Sequence, residues 1–575
     1  MEIFMAKNIE NKKYLITSAL PYVNGIPHLG HMVGCLLPSD VYARFCRNKD
    51  RETLYILGTD EYGTPTEVGA LKEGMDVKEY CDKYFSIHKE TYEKFDLSMD
   101  RLGRTTNEKH IKLVQDVFNE LNKNGFISEK EIEQIYSIDD DMFLADRYVE
   151  GTCPKCGYEK ARGDQCDGCG SLLNPTDLKD AYSTVSGSKN LEVRKTKHLF
   201  LKLSNMQKSV ESWLDTRDGW SKTALSIAHK WLKEGLHDRC ITRDLKWGVP
   251  VPLEGYENKV FYVWFDAPWG YVSISQEWAE NTQDKDKWND FWLPENEEDV
   301  KYIQFMGKDN VPFHSVFFPA EEISTDKKWK TTDIIKASNF LNFKDGKFSK
   351  SLGNGFSALD SIDQFPSDYW RYWLMANYPE NDDTSFSFEK FSSDINSDLN
   401  NVLGNFVSRV IKFSLKNFSD YDEDIIELDF SEWDNRLEKL VWEFDNLMDS
   451  LEFRKSMGKL REIWVLGNEF LENYEPWKVA KEDKAKAHAI MLKAINYVYL
   501  YALISNSIIP NTSNKILELL GKNKEDIKFP VESGIFNKEI LFNIKSFKGI
   551  NNIEEMLFSK VDNDKVEELS EKYKS

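Results

Sequence analysis

No unbroken apolar run in the 575 residues is long enough to cross a bilayer, and residues 1–11 mix charges with isolated apolar side chains where a secretory signal would carry an apolar core. A cytoplasmic protein is expected. Cysteine is sparse: eight in all, of which Cys35, Cys46, Cys81 and Cys240 are scattered while Cys153, Cys156, Cys166 and Cys169 sit together. That distribution argues against a disulfide framework and for a metal site in a reducing compartment. Positive charge is in deficit, with 75 Lys and Arg against 97 Asp and Glu and a net charge of −22. Such a chain lacks a general basic footprint for phosphate backbones, so any nucleic-acid site must be a local patch. Internal repeats and long low-complexity tracts are also missing. The length exceeds one ordinary domain and is enough to bury more than one core.

Residues 14–20 read as a short buried strand, broken by Pro21, Asn24-Gly25 and Pro27. From His28 the apolar positions Val33, Leu36, Leu37, Val41, Tyr42 and Phe45 take helical spacing, and residues 53–57 read as a second strand. Strand, turn, helix, strand opens a parallel α/β sheet of Rossmann type. A Gly- and Cys-rich segment, 151–170, lies within an insertion reaching to about Cys240. Strand-like runs return at 259–265 and 302–306, which are expected to complete the sheet and leave the nucleotide-binding domain split. Beyond about residue 395, amphipathic stretches at 399–413, 437–451 and 487–505 predict an α-helical bundle. From about Phe542 the pattern weakens, and the final charged segment reads as a short helix or a fraying end.

His28-Leu29-Gly30-His31 follows the first strand and turn at the start of a helix, where unpaired backbone N–H groups and the helix dipole attract anions. Imidazoles there can donate to phosphate oxygens, and Gly30 leaves room for a flat base. Lys347-Phe348-Ser349-Lys350-Ser351, flanked by Asp345-Gly346 and Gly353-Asn354-Gly355, reads as a mobile cationic loop able to close over a triphosphate. Either motif alone is as readily a cap or a solvated turn. Cys153-Pro154-Lys155-Cys156 and Cys166-Asp167-Gly168-Cys169 are two C-x2-C pairs nine residues apart. Four thiolates suit one tetrahedral, structural Zn²⁺, with an iron–sulfur cluster the lesser alternative.

Taken together, and in this order, the histidine and lysine motifs resemble the HIGH and KMSKS signatures of class I aminoacyl-tRNA synthetases, with Leu29 and Phe348 as apolar departures. The resemblance is closer to the methionyl-tRNA synthetase family and covers nearly the whole chain. It includes Ala19-Leu20-Pro21-Tyr22-Val23-Asn24-Gly25, Gly58-Thr59-Asp60-Glu61-Tyr62-Gly63-Thr64, Tyr262-Val263-Trp264-Phe265-Asp266-Ala267-Pro268 and Gly307-Lys308-Asp309-Asn310-Val311-Pro312-Phe313-His314. It implies adenylation of methionine by Mg²⁺-ATP followed by transfer to the 3′-terminal adenosine of tRNA(Met). His28, His31, Lys347 and Lys350 would be catalytic, and Gly30 and Ser349 would join them in binding ATP. Leu20, Tyr22, Trp264, Ala267, Pro268, Tyr271 and His314 would form the methionine pocket, with Asp60 on the substrate ammonium. An aromatic box also suits a polarizable thioether on its own chemistry. Asn405 and Arg409, four apart on a helix face, and Trp477 would contact the anticodon.

The implied organisation is residues 1–118, first half of the catalytic domain; 119–243, connective insertion with zinc knuckle; 244–335, second half; 336–393, lysine-signature and stem-contact region; 394–540, α-helical anticodon-binding domain; 541–575, C-terminal tail. With no second cysteine set after Asn174, one zinc is expected. The insertion is too short for the editing domain of leucine-, isoleucine- or valine-type enzymes. A small HxGH nucleotidyltransferase would explain neither the lysine loop nor the helical half, and a non-catalytic RNA-binding relative would have no need of both signatures. A monomer is expected, aided in some settings by a separate tRNA-binding partner.

Overall fold

The computed structural model describes residues 12–163, 166, 168–169, 171, 173–343, 346–348, 355–419, 421, 426–532 and 534–573. Three strands come from the first part of the chain: β1 (Lys13–Ser18), β2 (Thr53–Thr59) and β3 (Arg101–Arg104). The insertion then projects as two long antiparallel strands, β4 (Ile127–Ser137) and β5 (Leu191–Leu201), paired from Ile127↔Leu201 to Ser137↔Leu191. Two later strands, β6 (Val300–Gly307) and β7 (Ile334–Ser338), return to the first three. The sheet order is β7-β6-β1-β2-β3, all parallel. Helices cover both faces, which is why β1 and β2 are almost wholly buried and read as continuous apolar runs. Strand β1 has β2 on one side and β6 on the other, so the chain leaves it in two directions. The crevice beyond the C-terminal ends of β1 and β6 is the switch point where open α/β sheets receive ligands.

The split sheet matches the expectation, but residues 259–265 do not contribute to it. Only Val260–Phe261 is extended, paired with Thr242–Arg243 outside the main sheet, and Val263–Asp266 coils into a helical turn. A short apolar run has no period that separates a strand from a buried helical turn.

A second layer of helices fills the rest. Helix α1 (Leu37–Asn48) continues from the histidine motif, and α2 (Ser367–Ala376) lies between the sheet domain and the bundle. The bundle comprises α3 (Asn405–Phe418), α4 (Ser431–Asp449), α5 (Phe453–Tyr474) and α6 (Lys484–Ser505). Helix α6 has the length and apolarity of a membrane span, yet every residue from Ala487 to Ser505 is buried by protein. A helix apolar on all sides is a core helix when its neighbours cover it. Its one deep cation, Lys493, lies 3.0 Å from Asp434. The C-terminal segment is a packed short helix, α7 (Asn563–Lys572), lying against the helix Phe388–Asp394.

The two halves are joined by Arg371, whose side chain is fully buried. Its guanidinium donates to Asp40 on α1 at 2.7 Å, to the Phe95 carbonyl at 2.9 Å, and to the Ser507 and Ile508 carbonyls beyond α6 at 3.0 and 2.8 Å. Burial opposes the Asp40 charge, but Arg44 and Arg371, with the Ser98 hydrogen bonds, hold its carboxyl down at about 2. A planar fork with five donors suits this junction, where acceptors from three chain segments converge.

Candidate active site

At the end of β1 the turn through Pro21 and Pro27 delivers His28 as the N-cap of the next helix. Its Nδ1 accepts the Gly30 N–H at 3.1 Å, while its own backbone N–H donates to His31 Nδ1 at 3.1 Å. This is a reciprocal capping box built from imidazoles instead of Ser and Glu. Both Nδ1 atoms are therefore acceptors, so each neutral ring carries its proton on Nε2. Burial lowers His28 to about 4 and pushes His31 well below the ordinary value, with His28 and His88 adding to the effect on His31. The pair is neutral at pH 7 and offers N–H donors without positive charge. A Cβ at Gly30 would lie 2.8 Å from His28 Cε1. Glycine thus lets the capping ring fold back over the helix start.

The lysine motif follows β8 (Leu341–Phe343), which pairs antiparallel with β9 (Gly346–Lys347) and parallel with β10 (Thr384–Phe386). Ser349, Lys350 and Ser351 lie outside the described residues; of this motif the structure describes Phe348 and the backbone of Lys347. The two signatures meet. Phe348 stacks on His28 with ring centroids 5.9 Å apart, Ser357 forms a β-bridge with His28, and the Ala358 N–H donates to the Pro27 carbonyl at 2.7 Å. Gly355 takes φ +116°, and a Cβ there would meet Phe348 Cδ1 at 2.5 Å, so only glycine admits this turn back onto the Phe348 ring.

The residues expected to hold methionine are linked by contacts around the ends of β1 and β2. Tyr22 bridges Asp60 across the ends of β1 and β2. The Trp264 indole N–H donates to the Tyr22 hydroxyl at 3.1 Å, and its ring lies 3.7 Å from that of Phe313. Ala267 and Pro268 form the next turn, and Leu20 packs over Gly270. Tyr271 and His314 are joined by a 2.8 Å hydrogen bond between the hydroxyl and Nε2. Because His314 Nδ1 meets the Asn310 carbonyl at 3.0 Å, it carries the proton, and Nε2 accepts from Tyr271. Burial keeps this imidazole neutral, lowered to about 4.

Asp60 is 4% exposed, and its Oδ1 has no hydrogen-bond partner. Burial first, and then the neighbouring Asp266, pushes its carboxyl well above the usual range. Such a group awaits a cation that would ionise it.

Sequence reasoning missed several supporting residues. His88 holds the turn at the Gly25 carbonyl at 3.0 Å, and His110 bonds Asp266 at 3.2 Å and Ser273 at 3.3 Å beneath the pocket. Neither histidine stands in a recognisable pattern, so no sequence signal marks them. Phe313 does, since it sits inside the quoted run ending at His314. The π-helical turns Met32–Leu36 and Ile395–Gly404 abut His31 and Asn405, and the turn Phe313–Phe317 contains His314. Such bulges often occur at functional sites and have no sequence signature.

The four cysteines converge, their sulfurs all within 4.8 Å of one another. Cys156 and Cys166 are 3.5 Å apart and Cys153 and Cys169 are 4.0 Å apart. A tetrahedron with metal–sulfur bonds of about 2.3 Å has edges of about 3.8 Å, so the set can hold a metal ion. The Ser171 hydroxyl and backbone N–H bring the Cys169 thiol down to about 6, favouring the ligating thiolate.

At the far end of the bundle, Asn405, Arg409 and Trp477 line a groove of about 560 Å³ together with Lys412, Lys416 and Met556. Arg409 lies over the Trp477 ring at 5.0 Å, and Glu475, at φ +41°, makes the left-handed turn that presents Trp477. The structure thus brings together all three residues expected there.

A sheet with this strand order and a histidine cap at its switch point, with Phe348 stacked on that cap, fits a class I tRNA synthetase, and the family model "tRNA synthetases class I (M)" matches residues 14–411. Residues 429–575 match the "Anticodon binding domain of methionyl tRNA ligase". The chain belongs to the methionine–tRNA ligases. It is 49% identical over 522 residues to the methionine–tRNA ligase of Maricaulis maris, covering 88% of this chain and 90% of that protein. The Caulobacter vibrioides enzyme is 45% identical over 573 residues, covering 98% and 99% respectively. In fold, the chain resembles the Mycobacterium tuberculosis methionyl-tRNA synthetase solved in complex with methionyl-adenylate, with a TM-score of 0.72 at 23% identity over 90% of this chain and 96% of that one. As a family member the chain is an ATP-dependent ligase, and its anticodon-binding domain implies that it binds tRNA.

Proposed function

We propose that the chain activates methionine with ATP and transfers it to the 3′-terminal adenosine of tRNA(Met), with the division of labour expected from its sequence. In the first step a methionine carboxylate oxygen attacks the α-phosphorus of ATP, and the bond to pyrophosphate breaks. His28 and His31 donate Nε2–H groups to the phosphates, Gly30 leaves room for the adenine, Lys347 and Lys350 meet the departing pyrophosphate, and Ser349 joins them in binding ATP. Mg²⁺ accompanies ATP and offsets its phosphate charge. Asp60 takes the methionine ammonium, while Leu20, Tyr22, Trp264, Ala267, Pro268, Tyr271 and His314 enclose the thioether chain. In the second step the terminal ribose hydroxyl attacks the adenylate carbonyl and releases AMP. Positioning and fixed dipoles carry both steps, with no covalent enzyme intermediate.

The observation that carries this reading is the double-histidine cap, because it fixes two neutral rings as donors at the switch point, where Phe348 stacks on His28. Zinc is the metal that four thiolates at this spacing suit, in a structural site without an open position. Asn405, Arg409 and Trp477 read the anticodon, an assignment supported by their shared groove and by the lysines beside it. A cytoplasmic monomer is the proposed working form; the exposed large apolar residues are scattered over many elements, as on monomer surfaces. The test is Lys350→Ala. Methionine-dependent ATP–pyrophosphate exchange should fall by about a hundredfold or more while the methionine Kd moves little. Normal exchange in the folded variant would remove the lysine loop from the mechanism.

A further inference from the structure

His110 stands in the first turn of the helix Glu108–Lys123, where the Asn107 side chain accepts its backbone N–H at 2.8 Å and fixes its place. The imidazole is fully buried and reaches two segments that carry residues expected to hold methionine. Its Nε2 lies 3.2 Å from Oδ2 of Asp266, which stands between Trp264 and the Ala267-Pro268 turn. Its Nδ1 lies 3.3 Å from the hydroxyl of Ser273, two residues past Tyr271.

These bonds fix where the protons lie. Ser273 gives its own hydroxyl proton to the Gly270 carbonyl at 3.2 Å, so its oxygen accepts from the His110 Nδ1–H. A neutral ring then has only a lone pair on Nε2, and the contact with Asp266 holds a single proton. That proton belongs either to a carboxylic acid or to an imidazolium beside a carboxylate. Asp266 is fully buried, and its other oxygen, Oδ1, has no hydrogen-bond partner. A carboxylate there would be an interior ion with one oxygen bare, which burial disfavours. Asp60, Tyr62 and Glu321 lie within electrostatic reach of Asp266, and Glu277, paired with Arg101 at 3.4 Å, lies within reach of His110. Burial pushes the Asp266 carboxyl well above the usual range and lowers the His110 imidazole to about 3, both in favour of the neutral pair.

We propose that Asp266 is a positioning residue for methionine, held by His110 as a neutral acid so that Asp60 alone carries negative charge opposite the bound ammonium. The inference rests on the reading of Asp60 as the partner of that ammonium. Two carboxyls within reach of one another are costly to ionise together. With its proton kept on the His110 side, Asp266 adds no like charge when methionine draws Asp60 into its ionised form. The same hydrogen bond ties the turn after Trp264 to the start of the His110 helix.

Equilibrium methionine binding and methionine-dependent ATP–pyrophosphate exchange test it, with Asp60→Asn measured alongside. Asp266→Ala should raise the methionine Kd about tenfold while kcat at saturating methionine changes less than about threefold. Asp266→Asn, which offers His110 Nε2 an amide N–H in place of the acid proton, should bring the Kd back to within about threefold of wild type. If Asp266→Ala does not fold, His110→Leu removes the acceptor and should give the same rise. Difference infrared spectroscopy at pH 7 and saturating methionine should show a neutral carboxylic-acid band in the wild type that Asp266→Asn lacks. Identical spectra overturn the inference. So does an Asp266→Asn that binds methionine as poorly as Asp60→Asn, which would make Asp266 a charge carrier. An unchanged Kd in both Asp266→Ala and His110→Leu, or parallel losses of affinity and kcat that Asp266→Asn does not restore, overturns it as well. Normal methionine binding in Asp60→Asn removes the assignment beneath it, while the infrared band still reports on Asp266.

Discussion

Burial leaves Asp60 with one oxygen unpaired, so the residue is costly to ionise until a cation arrives. Asp60→Asn should therefore raise the methionine Kd by about thirtyfold or more, the lower end of what removing one partner of a buried charge pair costs, with little change in the KM for ATP. Equilibrium binding of methionine checks this, and an unchanged Kd would move the ammonium elsewhere. The aspartate was legible because it stands in a run of quotable motif residues. His110, which bonds its neighbour Asp266, was not, since that contact joins positions 156 apart in sequence. Likewise the pattern His28-Leu29-Gly30-His31 announced a helix start with a cap as one reading, but not that the two rings would cap it reciprocally and thereby choose the tautomer of both.

The long amphipathic stretches and three short strand runs, at 14–20, 53–57 and 302–306, were read well, and the run at 259–265 was not. The helices at Asn405–Phe418, Ser431–Asp449 and Lys484–Ser505 fall where amphipathic or apolar spacing placed them. The 259–265 run did not become a strand, because its aromatics pack inward from a turn that must also hold Trp264 over the pocket. The cysteine knuckle was legible from spacing alone, as the chemistry of four thiolates tolerates few arrangements. Elemental analysis should find one zinc per chain. Chelation or Cys153→Ser should loosen the region around 149–183 while leaving the main sheet folded, since a structural metal ties binding to local folding. Hydrogen exchange mapped by mass spectrometry reads this directly; unchanged protection in metal-free protein would mean the knuckle stands without its ion.

Across the molecule, Arg371 carries the junction between the sheet domain and the bundle, and no sequence pattern announces a lone arginine in an aromatic helix. Asp40→Asn would leave Arg371 and Arg44 in the interior without their carboxylate, at about 3–5 kcal/mol at pH 7. The sign with pH follows from a folded value near 2 against an ordinary 3.8. The pH-linked part of the wild-type advantage is full above the unfolded value and drains away as pH falls from about 4 towards 2, so the gap between the two proteins should narrow in acid. Denaturant unfolding at several pH values tests it, and a pH-independent gap would assign the effect to packing. Trp477→Ala separates the halves in another way. Aminoacylation of a tRNA with a CAU anticodon should fall by about 1–3 kcal/mol equivalent while pyrophosphate exchange persists. Equal losses in both assays, with a lowered Tm, would make Trp477 a core residue instead.

The split of the sheet also bears on how the chain is made. Strand β1 pairs on one side with β6, whose first residue, Val300, is translated long after Ser18. At about 5–20 residues per second, β1 waits on the ribosome with an open hydrogen-bonding edge for roughly 15 to 60 s before its partner emerges. An apolar central strand with a bare edge is a template for pairing with other chains. The connective insertion, synthesised in that interval, is thus also a delay line, and slow codons or a missing chaperone between β3 and β6 should be felt as aggregation of nascent chains and not as a weaker mature enzyme.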